Sequence, residues 1–133
     1  MIIYQSDKKG FIKHLISNEI HEIIESTYQA KTGHRVARNE LRSWQESMRY
    51  MGAVLDDDEI PNDAGVSIEY TIPQTSKRID FILTGQDSEK NDQVVIIELK
   101  QWESAEITDE DAIVKTRFQH GVAETSHPSY QAW

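Results

Sequence analysis

The chain has no cysteine among its 133 residues. That absence excludes disulfides, thiolate zinc sites, iron–sulfur ligation and a cysteine nucleophile. Proline and glycine are scarce, at 3 and 6 residues, which excludes collagen-like repeats and Pro/Gly-rich disordered tracts. No apolar run approaches the roughly 18 residues that span a bilayer. The opening Met1-Ile2-Ile3-Tyr4-Gln5-Ser6-Asp7 lacks the basic and then apolar regions of a secretory signal. A cytoplasmic home, no membrane partner and one domain over 1–133 are the expectations.

Positive charge is also in short supply: 14 Lys+Arg stand against 23 Asp+Glu, for a net charge of −9. Such a balance argues against a polyanionic partner, but the acid is unevenly spread. The stretches 56–63 and 103–111 hold five acids each and no base, and without them the chain carries 14 bases against 13 acids. Two acidic loops carry the imbalance. They are expected to face away from any nucleic acid, and charge decides nothing further.

What is present reads as helix first and strand later. From Lys8 to about Ala30, Ile12, Leu15, Ile16, Ile20, Ile23 and Ile24 recur at three- and four-residue spacing, predicting one amphipathic helix closed by Gly33. A second helix is predicted over Arg38 to Leu55, with Leu41, Trp44, Met48, Met51 and Leu55 on one stripe. After Gly65 the period drops to 2. Val66 to Ile72, Arg78 to Leu83 and Gln93 to Gln101 read as strands, the last two joined as an antiparallel hairpin. Apolar residues on both faces of the third predict a central strand covered on both sides. The segment 103–133 reads as a polar loop, with a helical turn near Asp111 to Thr116 and a helix starting at Pro128.

Chemistry concentrates in the third strand. The run Val94-Val95-Ile96-Ile97 leads directly into Glu98-Leu99-Lys100, and residues two apart on a strand share a face. Asp80 sits in the preceding strand, within Ile79-Asp80-Phe81-Ile82, where a carboxylate is costly to bury without a partner. If the hairpin sets Asp80 beside Glu98, two hard oxygen ligands and an ammonium converge. That set suits Mg²⁺ completed by water and a phosphate, with a lysine placed to orient or deprotonate the attacking water. Solvated residues at a strand end are the plainer account of Glu98 and Lys100 taken alone. Other patterns fail. Pro61 breaks any EF-hand loop at Asp56-Asp57-Asp58-Glu59, His21-Glu22 lacks a second histidine at zincin spacing, and no P-loop is present.

Asp80 followed eighteen residues later by Glu98-Leu99-Lys100 resembles the D…(D/E)-x-K signature of the PD-(D/E)XK nuclease superfamily. More closely, Ile68-Glu69-Tyr70, the run from Pro73 to Phe81 and the run from Val95 to Trp102 look like the N-terminal nuclease-like region of large bacterial and phage proteins. Those proteins continue into a P-loop helicase-type ATPase domain. The resemblance departs from the signature at Ile79, where a proline is usual before the aspartate. It implies an α/β, restriction-endonuclease-like core: N-terminal helices (1–55) packed on a small mixed sheet with an antiparallel hairpin (65–102 as the catalytic sheet). It implies a Mg²⁺- or Mn²⁺-dependent nuclease that hydrolyses phosphodiester bonds; DNA is the preferred substrate, though the sequence itself does not separate DNA from RNA. Asp80 and Glu98 would hold metal and Lys100 would serve the water. A further acid from the first helix, Glu22 in preference to Glu19, would join the metal or else form a solvated helix face. Gln131 would be the glutamine of the following helix. The alternative is a non-catalytic nucleic-acid-binding or assembly module of a helicase-like protein. A helix begun at Pro128 and a sheet left with an open edge lead us to expect a fragment of a longer chain that self-associates and has weak or absent nuclease activity alone.

Overall fold

A computed structural model describes the chain except residues 103, 119, 120 and 133; the side chains of 118, 131 and 132 also lie outside the described set. The chain divides into two compact units, Met1–Ile97 and Glu98–Trp133. It combines helices with two antiparallel sheets, which matches the coarse α/β expectation.

The first unit opens with a strand that polarity conceals, β1 (Tyr4–Asp7), paired antiparallel with β2 (Gly65–Thr71) in the register Tyr4↔Ile68. Asp7 then caps α1 (Lys8–Ile16), its carboxylate accepting from the Gly10 amide at 2.6 Å. A Cβ at Gly10 would meet the Ser6 hydroxyl, which would have to turn away. The single helix expected over Lys8 to Ala30 is instead two, α1 and α2 (Ile20–Thr32). Ser17 turns its hydroxyl back to the Lys13 carbonyl at 2.9 Å, and Asn18 takes a left-handed φ of 59° that asparagine tolerates. The apolar spacing runs through this break in the sequence, although Ile16, at the end of α1, is 82% exposed. Gly33, at φ 73°, closes α2 as expected.

Helix α3 (Arg38–Leu55) falls on its predicted bounds and buries Trp44, Met48, Met51 and Leu55 on the expected stripe. The acidic loop after it is held by Lys8. This lysine is buried, and its ammonium donates to the carbonyls of Asp57 and Ile60 at 2.6 and 2.7 Å. A buried ammonium with carbonyl partners meets the requirement that buried charge be hydrogen-bonded.

Strands β2, β3 (Arg78–Gln86) and β4 (Asp92–Ile97) complete the order β1-β2-β3-β4. Every pairing is antiparallel, so the expected mixed sheet is corrected. The core lies where α1, α2 and α3 face β2 and β3. Phe11 and Phe81 are fully buried with ring centroids 5.6 Å apart at 76°, an edge-to-face pair joining α1 to β3. The third predicted strand ends at Ile97 rather than Gln101 and is an edge of its sheet. Val94 and Val95 on its two faces are 62% and 51% exposed, which overturns the doubly covered central strand. Apolar residues on both faces signal a strand here, not its cover.

In the second unit, three strands replace the expected polar loop: β5 (Ser104–Ile107), β6 (Ile113–Phe118) and β7 (Gly121–Ser126), antiparallel in the order β5-β6-β7. A turn at Asp111 and Ala112, with Ala112 at φ 60°, takes the place of the expected helical turn. Val114 and Thr116 are buried while Lys115 and Arg117 are exposed, a period-2 pattern too polar to stand out in the sequence. Four of the nine residues of the second acidic stretch, with one of its five acids, Glu106, thus lie in β5. Helix α4 (Pro128–Ala132) starts at the expected proline.

Candidate functional site

The β2–β3 ladder pairs Ile68 with Phe81 and Tyr70 with Ile79. Between these rows Glu69 and Asp80 stand opposite one another, since the register is the same on either side of them. Glu69 has a φ of 54° within the strand, a left-handed conformation that costs a non-glycine residue about 1–3 kcal/mol and is concentrated at functional sites. That twist turns the Glu69 side chain into the protein, where it is buried at 7% exposure. Arg78 Nη1 lies 2.9 Å from its Oε2 and 3.9 Å from Oε1 of Glu40 on α3. The Trp44 side chain donates to the Glu69 carboxylate, and Asp80 is close enough to repel it.

Burial raises the Glu69 pKa, Arg78 opposes the rise, and the charges of Asp80 and Glu40 add to it. A carboxyl raised on folding binds its proton more tightly in the native state. Its contribution is present below the unfolded value near 4.5 and is lost as pH rises through the native one. The wild type is therefore expected to gain stability relative to Glu69→Gln as pH falls from 8 toward 4.5. Urea unfolding of both proteins at the two ends checks this, and a difference independent of pH would contradict it.

Asp80 itself is half-buried on β3. Glu98 and Lys100 open the second unit, where Lys100 Nζ donates to Glu98 Oε1 at 2.5 Å. Their side chains thus share one side, as residues two apart were expected to, although they lie beyond the end of β4. The last registered pair of the β3–β4 ladder is Phe81↔Ile97. Asp80 precedes Phe81 in the chain, and Glu98 follows Ile97.

Glu22 is exposed in the first turn of α2, and Glu19 accepts from the Ser17 hydroxyl at 2.7 Å. Gln131 falls within α4, but its side chain lies outside the described residues. Among the described residues no three His, Asp or Glu side chains gather as a metal-holding group. Asp80 belongs to the first unit and Glu98 opens the second. The signals missed in the sequence were Glu69 and Arg78. Glu69 read as the polar face of a half-buried strand, and only its backbone twist brings it inward to meet Trp44 and Arg78. Among the described residues no helix is long and apolar enough to cross a membrane.

Comparison with protein-family models, with curated proteins and with solved structures returns no match.

Proposed function

We propose that this chain is a metal-dependent nuclease domain that hydrolyses phosphodiester bonds in DNA, with Asp80 and Glu98 as ligands of Mg²⁺ or Mn²⁺. The observation that carries the reading is the hairpin register Phe81↔Ile97, with Asp80 one residue before and Glu98 one residue after that pair. A divalent ion held there would lower the pKa of a bound water and offset charge building on the phosphate. Lys100, already bonded to Glu98, orients the attacking water and offers a positive charge to the phosphate oxygens. Glu69 fixes Arg78, and with it the start of β3 just ahead of Asp80. Glu22 is retained only as a secondary ligand, being exposed on α2.

The test is a gel assay of single- and double-stranded DNA, and of RNA, with Mg²⁺ or Mn²⁺. Cleavage that requires the ion, stops with EDTA and is stronger on DNA is the expected result. Retention of DNA without any cleavage would favour the assembly-module reading instead.

A further inference from the structure

Away from Asp80, the junction of α1, α2 and α3 forms a cleft open to solvent, of about 180 Å³, lined by Leu15, Asn18, Ile20, His21, Gln45 and Arg49. That volume is below the roughly 300–1,000 Å³ of sites for drug-sized ligands, so it suits a small polar group with its water. Leu15 and Ile20 supply the apolar part of the wall, and the other four side chains carry N–H groups. None of the six is acidic, in a chain whose net charge is −9. Glu19, which adjoins Ile20 in sequence, is engaged by the Ser17 hydroxyl.

The polar side chains of this wall have no partners of their own among the described residues. Arg49 forms no ion pair, and neither Gln45 nor Asn18 forms a side-chain hydrogen bond. His21 Nδ1 is buried with no hydrogen-bond partner. Buried polar atoms are ordinarily paired, so this ring is left with one nitrogen unsatisfied and, when that nitrogen carries the proton, lacking an acceptor. A ring not anchored at Nδ1 is able to turn an N–H toward one. Gln45 and Arg49 are four apart on α3 and share a helix face, while Asn18 and His21 approach from the α1–α2 break. A guanidinium selects an anion and binds tetrahedral oxyanions through two parallel N–H groups. Donors arriving from two sides match the spread oxygens of a phosphate better than the single plane of a carboxylate.

We propose that this cleft binds a phosphate group, supplied either as inorganic phosphate or by the backbone of a nucleic acid. The binding itself does not depend on the nuclease reading; only the second source does.

Titration of ¹⁵N-labelled protein with inorganic phosphate, at constant ionic strength set by chloride, tests it. Saturable shifts confined to the Gln45 side-chain amide, Arg49 Nε and the His21 ring are expected. Arg49→Ala should weaken the affinity by about tenfold or more, as loss of a charge-assisted hydrogen bond implies. Arg49→Lys should lose less, since charge survives but the fork does not. Arg49 is exposed, so both variants should keep the wild-type Tm. A short DNA oligonucleotide added without divalent ions then separates the sources. Displacement of phosphate assigns the site to a nucleic-acid backbone, and simultaneous binding or no effect assigns it to free phosphate. Absence of saturable shifts with both probes, or an unchanged affinity in Arg49→Ala, overturns the proposal. Failure of the DNA cleavage assay would not touch the phosphate titration, so the two readings fall separately.

Discussion

Lys100→Ala is expected to lower DNA cleavage by about 10²–10⁴-fold, the usual contribution of a positioned general acid or base. The lysine makes a 2.5 Å contact with Glu98 and remains partly open to solvent, so its ammonium can face both the carboxylate and an incoming phosphate. Truncation removes that charge and leaves Glu98 without its partner. Lys100→Arg separates two roles. Arginine keeps the charge but does not give up a proton in proteins, so it restores activity if Lys100 acts by charge and does not if it takes the proton from water. Initial rates with Mn²⁺, read beside the Tm of each variant, check this. A Lys100→Ala protein that cuts at the wild-type rate would remove Lys100 from the site.

Phe81→Ala is expected to cost about 3–5 kcal/mol, the range for a deleted core aromatic. The ring is fully buried, it meets Phe11 edge to face at 5.6 Å, and its residue is paired with both Ile68 and Ile97. One substitution thus removes packing between α1 and the middle of the sheet. Native domains hold only about 5–15 kcal/mol in all, so the first unit would be left close to unfolding. Urea denaturation measures it. A loss below about 1.5 kcal/mol, typical of volume-conserving exchanges, would mean that this ring does not anchor the helices to the sheet. Phe81 adjoins Asp80, and its loss should also lower cleavage through displacement of that carboxylate.

Helix α3 and strand β2 were legible in the sequence because each buries apolar residues at its own period, and β3 because Ile79, Phe81 and Leu83 alternate, although only Phe81 is buried. The break at Ser17 to Glu19 was not, since α1 and α2 keep their apolar residues in phase across it. Strand β1 is four residues long, and its reason to be a strand is Ile68, more than sixty positions away. Among the described residues of β5 to β7 only Val114 and Thr116 are buried, so their alternation is faint. Val94 to Ile97 show the converse. Their apolar character marked a strand, yet position in the sheet depends on neighbours that no local pattern encodes. In the candidate site, Glu98 and Lys100 meet as the two-residue spacing suggested, although neither lies in a strand. The inward turn of Glu69 followed from a backbone conformation that a glutamate does not advertise.

The claim on which this account rests is that Asp80 and Glu98 together bind a divalent cation, and calorimetric titration with Mn²⁺ tests it most directly. The account predicts one saturable site in the wild type, a sharply weakened one in Asp80→Asn and in Glu98→Gln, and near-normal binding in Lys100→Ala. Wild-type affinity in Asp80→Asn would contradict it.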